Sequence, residues 1–198
     1  MGLLRRGPTE DERRRLPPGQ HLVRELPVLD VAGPPYRGLP AGWDMRVWGA
    51  VEHPVTWDFG AFRALPTTEV TCDVHCVTTW SALDTTWTGV PMEWVLEQVR
   101  PLPTATHVVA HAEQGYTANM PLEALRAPGV MLAYRYEGRE LEPAHGYPLR
   151  LLVPQLYLWK SAKWLRGLEF LERDAPGFWE VRGYSDAADP WKEERYGF

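Results

Sequence analysis

Cysteine is scarce in this chain, with Cys72 and Cys76 the two in 198 residues. That count excludes a disulfide framework and agrees with a reducing compartment. No long run of Lys or Arg occurs, and the formal net charge is -5. Nucleic-acid binding sets a basic face against phosphates, so no nucleic-acid partner is expected. No continuous apolar stretch reaches the length of a bilayer span. Arg5 and Arg6 in MGLLRRGPTEDERRR suggest an export signal, but no apolar run follows before EDERRR. The expectation is a cytoplasmic protein with no membrane span. A CxxCH haem signature is missing, and two cysteines do not hold an iron–sulfur cluster.

What the chain does hold is 44% hydrophobic residues, including ten tryptophans. In a chain of this size that suits one good core, so residues 1–198 are expected to form a single domain. Residues 1–40, rich in Arg, Pro and Gly, read as an extended segment that wraps the surface, with HLVRELPVLDV docking as an extended stretch. WDMRVWGAV alternates as a strand, and DFGAFRAL reads as a short helix with Asp58 near its N-cap. TTEVTCDV is strand-like, and the Thr- and Ser-rich stretch after Cys76 reads as a polar loop ahead of a helix. That helix, GVPMEWVLEQVRP, has Pro91 in its first turn, Trp94, Val95 and Val99 on one face, and Pro101 as its stop. THVVAHA, YTANM, VMLAYRYEG, YPLRLLVP and KWLRGLEFLE follow as short strands between Gly and Pro punctuation. The pattern is α+β, with mixed strand-rich sheets and short helices, and lacks the alternation of a doubly wound sheet.

Several roles are open to Cys76. Free cysteine is often a buried filler. Pairing with Cys72 is disfavoured, because residues four apart on a strand lie about 13 Å apart. Zinc held by Cys72, His75 and Cys76 needs a distant fourth ligand, and no second CxxC or HxxxH supplies one. A nucleophile assisted by His111 or His145 has no local signature. In the second half, AHGYPLRLLVP holds His145 and Arg150, and YLWKSAKW holds Lys160, Ser161 and Lys163 about ten residues later. A basic residue beside a small-residue turn can seat one phosphate. The alternative is that Arg150 and Lys163 are ordinary surface charges and Tyr184 an aromatic packing residue.

The run from CDVHCVTTWSALDTTWTGVPMEWVLEQV through HGYPLRLLVPQLYLWKSAKWLRGLEFLE to WEVRGYSDAADPWKEERY resembles the molybdopterin-binding domain of the sulfite oxidase family, over residues 20 to 198. The resemblance implies the sulfite oxidase-type molybdopterin-binding fold and a Mo-molybdopterin cofactor. It implies that Cys76 ligates the metal and that His145 and Arg150, in an H/N-G-x-P-x-R block, contact the pterin and its phosphate. Ser161, Ala162 and Lys163 match the turn that cradles that phosphate, and Tyr184 matches a tyrosine near the metal that assists proton movement.

Departures from the family pattern narrow the expected substrate. The vertebrate-type enzymes resemble CAGNRR where this chain has CVTTWS, and LPVLDVAGPP offers no further arginine. A sulfite dianion needs concentrated positive charge when desolvated. TTWSALDTTWTGVP is similar to the bacterial branch that includes the methionine-sulfoxide reductase catalytic subunit, although a pterin-contacting threonine of that branch falls near Ala112. The expected function is therefore oxygen-atom transfer to or from a small-molecule substrate, by reduction of an S-oxide or N-oxide, with an external electron-transfer partner. Sulfite oxidation by the same centre and a non-catalytic phosphate-binding module are the alternatives.

Overall fold

The computed structural model describes residues 7–31 and 33–197. Arg5 and Arg6, and with them the suggestion of an export signal, lie outside the described residues. In chain order the elements are α1 (Glu10–Arg14), β1 (His21–Val23), β2 (Asp44–Gly49), β3 (Val55–Asp58), α2 (Phe59–Arg63), β4 (Thr68–His75), β5 (Trp80–Pro91) and α3 (Met92–Val99). There follow β6 (His107–Ala112), β7 (Thr117–Pro121), α4 (Leu122–Leu125), β8 (Met131–Tyr136), β9 (Arg139–Glu140), β10 (Arg150–Leu152) and β11 (Leu165–Leu171). This is the expected α+β composition of mixed sheets and short helices.

The strands form two sheets. In the first, β5 is the spine: β4 runs antiparallel along it, β1 pairs parallel with residues 80–82, and β8 pairs antiparallel with residues 87–91. β10 and β9 extend from β8. In the second, the order is β3-β2-β11-β6-β7, with β2 and β11 parallel and the other neighbours antiparallel. Side chains alternate between faces along a strand, and the first sheet is buried on both. Leu132, Leu151 and Val153 point into the main core, which is shared with β2, β6, β11, α2 and α3. Met131, Ala133 and Leu152 point the other way, into a second cluster with Trp80, Trp87, Val74 and Cys76. Two-sided burial explains the apolar run VMLAY and the run PLRLLV, in which the one charged residue, Arg150, is itself buried.

Several local expectations hold. Asp58 caps α2 by accepting the Ala61 N–H at 2.8 Å, satisfying a donor that the first turn leaves free. α3 ends at Arg100, which takes a left-handed φ of 48° just before Pro101.

Three expectations need correction. After a short turn at residues 77–79, the Thr-rich stretch from Trp80 onward is the central strand β5, not a loop. β-branched threonines suit a pleated surface, and the buried Trp80, Ala82, Trp87 and Val90 anchor the strand from within. In α3, Pro91 is the N-cap rather than a first-turn residue, and the buried face is Met92, Val95, Leu96 and Val99, with Trp94 half-buried against Trp57. The N-terminal segment does more than wrap the surface. Thr9 and Glu12 close a capping box on α1, and His21–Val23 becomes strand β1.

Gly89 sits at the register shift between β5 and β8. A Cβ there runs into the Leu132 carbonyl oxygen and the Ala133 Cα, both backbone. Gly89→Ala should therefore destabilise the protein by about 1–3 kcal/mol, as overpacking does, and lower the thermal midpoint by about 2–4 °C for each kcal/mol. An unchanged midpoint in scanning calorimetry refutes this account of the bulge.

Candidate functional site

A cleft of about 310 Å³ opens beside the first sheet, and Cys76, His145, Arg150, Ser161, Ala162, Lys163 and Tyr184 all line it. Leu26, Leu29, Asp30 and Val31 from the N-terminal segment form part of its wall, with Trp80, Tyr116, Trp159 and Trp179. Residues chosen from four separate stretches of sequence thus converge on one cavity.

Cys76 is the first residue of the turn joining β4 to β5. Its N–H donates to the Trp80 carbonyl at 2.8 Å, and the Thr79 N–H donates to the Cys76 carbonyl at 3.0 Å. Closing the pair in so few residues forces Thr79 to a φ of 73°, a conformation that a β-branched residue seldom adopts. The Cys76 sulfur lies 3.1 Å from the Thr78 hydroxyl. Burial pushes the thiol pKa up, while the Thr78 hydroxyl, the Thr78 and Val77 N–H groups and the Arg195 charge pull it down. A buried thiol of this kind ionises best against a metal ion, which supplies the missing positive charge.

Arg150 shares the inner face of β10 with Leu152, its guanidinium 5.1 Å from the Trp87 ring. Nη1 donates to the His145 carbonyl and Nη2 to the Ser161 carbonyl, both at 3.1 Å, while buried Nε has no partner. Among the described residues no carboxylate pairs with it, and burial pulls its pKa down to about 10. An unpaired buried cation is costly, so a cavity wall with this residue in it favours an anionic occupant.

The neighbouring turn is built to the same end. The Ser161 hydroxyl accepts the Val153 N–H at 2.9 Å and the Ala162 carbonyl accepts the Leu151 N–H at 2.9 Å, which lock the turn to β10. Among the described residues, the N–H groups of Ala162, Lys163 and Trp164 donate to no protein acceptor. Trp164 has a φ of 54°, and consecutive free N–H groups at such a bend form an anion-binding concavity. Gly146, at φ 112°, lets the loop before Arg150 close on this turn, since a Cβ there would lie 3.2 Å from the Lys163 Cα.

Lys163 reaches the Leu29 carbonyl at 2.8 Å, the Ala144 carbonyl at 3.0 Å and Asp30 at 3.5 Å. Burial first, and the Arg150 charge second, pull its pKa down to about 8. His145 lies 3.3 Å from the Leu26 carbonyl through Nε2. Burial lowers its pKa, and because a carbonyl only accepts, the neutral ring carries its proton on Nε2. Arg150 and Lys163 are thus not surface charges.

Tyr184 stands on the opposite chain segment, edge-on to Trp159 with ring centroids 5.2 Å apart and tilted against Trp179 at 4.9 Å. Burial raises its hydroxyl pKa, with smaller contributions from Tyr196 and Cys76. Lys160, which the sequence sets beside the phosphate turn, points away instead. It is fully buried against Glu180 at 2.6 Å, and Glu180 also accepts Trp159 Nε1 at 2.8 Å. That pair fixes the Tyr184 segment to the Ser161 turn.

His111 is tied to Glu169 at 2.9 Å and does not line the cleft. Among the described residues no group of three or more His, Cys, Asp or Glu forms a metal cluster, and Cys72 and Cys76 are free thiols. No described helix is long and apolar enough to cross a membrane. Sequence reasoning missed Trp164, Tyr116, the 26–31 wall, and also Gln20 and Arg195, whose side chains bond the carbonyls of the Cys76 turn. None of these carries a motif.

Comparison with known proteins gives this geometry a context. The chain is 42% identical over 186 residues to the uncharacterized oxidoreductase YuiH of Bacillus subtilis, covering 94% of each chain. It is 27% identical over 145 residues to the putative protein-methionine-sulfoxide reductase subunit YedZ1 of Azospira oryzae, covering 73% of this chain and 55% of that one. Identity to the protein-methionine-sulfoxide reductase catalytic subunit MsrP of Gluconobacter oxydans is 29% over 158 residues, covering 71% of this chain and 50% of that one. The chain therefore spans about half the length of those two relatives. In fold it is similar to the sulfane dehydrogenase SoxCD of Paracoccus pantotrophus, with a TM-score of 0.63 at 20% identity, covering 83% of this chain and 46% of that one. Residues 32–179 match the oxidoreductase molybdopterin binding domain, and the chain belongs to that family of molybdopterin-binding oxidoreductases.

Proposed function

We propose that this enzyme transfers an oxygen atom from a small neutral S-oxide or N-oxide, within a single domain, using a Mo-molybdopterin that Cys76 ligates through sulfur. One observation carries the reading: a free thiol and an uncompensated buried guanidinium line the same cleft. The first suits a soft metal and the second an anion. When bound, the cofactor supplies a metal that accepts one oxygen atom in a two-electron step. The net reaction joins the S-oxide, two electrons and two protons to give the sulfide and water.

The chain's own groups divide the remaining work. Arg150, Lys163 and the free N–H groups after Ser161 hold the phosphate, and Ser161 and Ala162 fix that turn on β10. His145 contacts the pterin. Tyr184 presents its phenol to substrate oxygen as a proton donor, and its raised pKa keeps the proton in place at neutral pH. A neutral substrate is supported by the cleft wall outside the Arg150–Lys163 region, where Val77, Thr78, Leu158, Trp159, Phe178 and Trp179 carry no charge. With two cysteines in the chain, electrons come from an external redox partner. The free thiols support placing the protein in the cytoplasm.

Protein expressed in a host that makes molybdopterin, with molybdate supplied, should contain close to one molybdenum per chain by plasma mass spectrometry. Dye-coupled turnover should favour S-oxides or N-oxides over sulfite, and Cys76→Ser should abolish it. Absence of molybdenum, or full turnover by Cys76→Ser, sinks the reading. Tyr184→Phe should retain molybdenum and lose about a hundred-fold in kcat, the scale of a positioned proton donor; unchanged kcat removes Tyr184 from the mechanism.

The Lys163 site adds a pH test on cofactor-free protein. An unfolded chain binds the lysine proton up to its ordinary pKa of 10.5, whereas the folded protein releases it at about 8. Between those values the unfolded state holds more protons, so stability rises with pH across that window. The stability of wild type minus that of Lys163→Met should climb from about pH 8 to pH 10.5 and lie flat below it. A difference that is flat throughout contradicts a buried, phosphate-ready lysine.

A further inference from the structure

Two side chains from distant parts of the sequence grip the outside of the Cys76 turn. Gln20 Nε2 donates to the Cys76 carbonyl at 3.1 Å, and Arg195 Nη1 donates to the Val77 carbonyl at 2.5 Å. Both are themselves held. Gln20 leads directly into β1, and its Oε1 accepts from the Ser81 hydroxyl at 3.4 Å. Arg195 lies with its guanidinium 5.4 Å from the Tyr157 ring, and its own carbonyl accepts the Ser185 N–H at 3.2 Å, next to Tyr184.

Peptide planarity converts this outer grip into an inner orientation. In a trans peptide the carbonyl of one residue and the N–H of the next point in opposite directions. Fixing the Cys76 carbonyl therefore fixes the Val77 N–H, and fixing the Val77 carbonyl fixes the Thr78 N–H. Among the described residues neither N–H donates to an oxygen acceptor. The Thr78 hydroxyl lies 3.1 Å from the Cys76 sulfur, and the two N–H groups and the Arg195 charge act with it to lower the thiol pKa. Hydrogen bonds to a thiolate draw electron density from it and shift the potential of a metal it ligates.

We infer that Gln20 and Arg195 are positioning residues that hold the Val77 and Thr78 N–H groups on the Cys76 sulfur, and so set how strongly it donates to the metal. The inference rests on Cys76 as the ligand. It also assigns a source for the positive charge that the CVTTWS segment lacks. Arg195, whose guanidinium also lies 3.7 Å from the Glu193 carboxylate, brings that charge in through the backbone side of the turn and leaves the Val77 and Thr78 wall uncharged.

The test compares molybdenum-loaded wild type, Gln20→Ala, Arg195→Met and Arg195→Lys by metal content, by the sulfur-to-metal charge-transfer absorption and by a redox titration followed with electron paramagnetic resonance. Loosening the hold on either carbonyl, that of Cys76 keeping its bond from the Thr79 N–H, should make the sulfur a stronger donor. Gln20→Ala and Arg195→Met should each move the band to lower energy and the midpoint potential down at unchanged molybdenum per chain, and Arg195→Lys should shift less than Arg195→Met. Should Arg195→Met lose its metal, Gln20→Ala and Arg195→Lys decide by the same criterion. Variants that hold wild-type molybdenum with an unmoved band and potential overturn the inference. Cys76→Ser is the separate control: a band that persists in it refutes the ligand assignment itself, before either positioning residue is in question.

Discussion

Among the described residues the buried Arg150 guanidinium has no carboxylate partner, a costly burial, and much of the local architecture keeps that charge in place without neutralising it. Two backbone carbonyls, from His145 and Ser161, satisfy Nη1 and Nη2, and the Trp87 ring covers the guanidinium at 5.1 Å. Carbonyls and a π-face orient a cation while leaving its full charge available. A carboxylate in the same position would form a closed pair with little reason to face a ligand. The loops on either side follow from this choice: Gly146 permits their close approach, and the Ser161 turn is bonded to β10 through both its hydroxyl and the Ala162 carbonyl.

The double-sided first sheet makes such a site affordable in a chain of this size. Alternation along β8 and β10 sends one set of side chains into the main core and the other into the cluster that holds Cys76 and Trp87. The site is thus assembled on a strand whose opposite face is already fully packed, and its side chains inherit that rigidity. The Lys160–Glu180 pair does the corresponding work for the aromatic wall. A buried ion pair is weak evidence for stability. Here the same Glu180 oxygen also receives Trp159 Nε1, so the pair fixes the relative position of two segments that both line the cleft.

Local chemistry made part of this legible in the sequence. Asp58 ahead of an apolar turn, Pro101 after a helical pattern and short β-branched runs between Gly and Pro specify their structures with little help from elsewhere. The seven residues proposed for the site came from a family resemblance in block order and spacing, and they line one cleft. β5 was misread because its threonines look polar, whereas their burial depends on what the partner strands place above and below them. The α3 face was misjudged for a related reason: Trp94 is apolar enough for the core, but Trp57 holds it at the edge. Gln20 and Arg195 were illegible in a stronger sense, since each meets the Cys76 turn from 56 and 118 residues away respectively, and what they recognise is backbone.

That last point bears on how one fold can serve substrates of different charge. A guanidinium pointing into a substrate pocket acts on the metal ligand and on the substrate together, so neither effect can change without the other. In this chain the Arg195 charge acts on the sulfur from the side of the Val77 carbonyl, while the wall formed by Val77, Trp159 and Trp179 stays apolar. Desolvating a dianion against such a wall is unfavourable, whereas a neutral S-oxide loses little hydration there. On the proposed reading, electrostatic tuning of the cysteine and selection by substrate charge fall to different faces of the same four-residue turn.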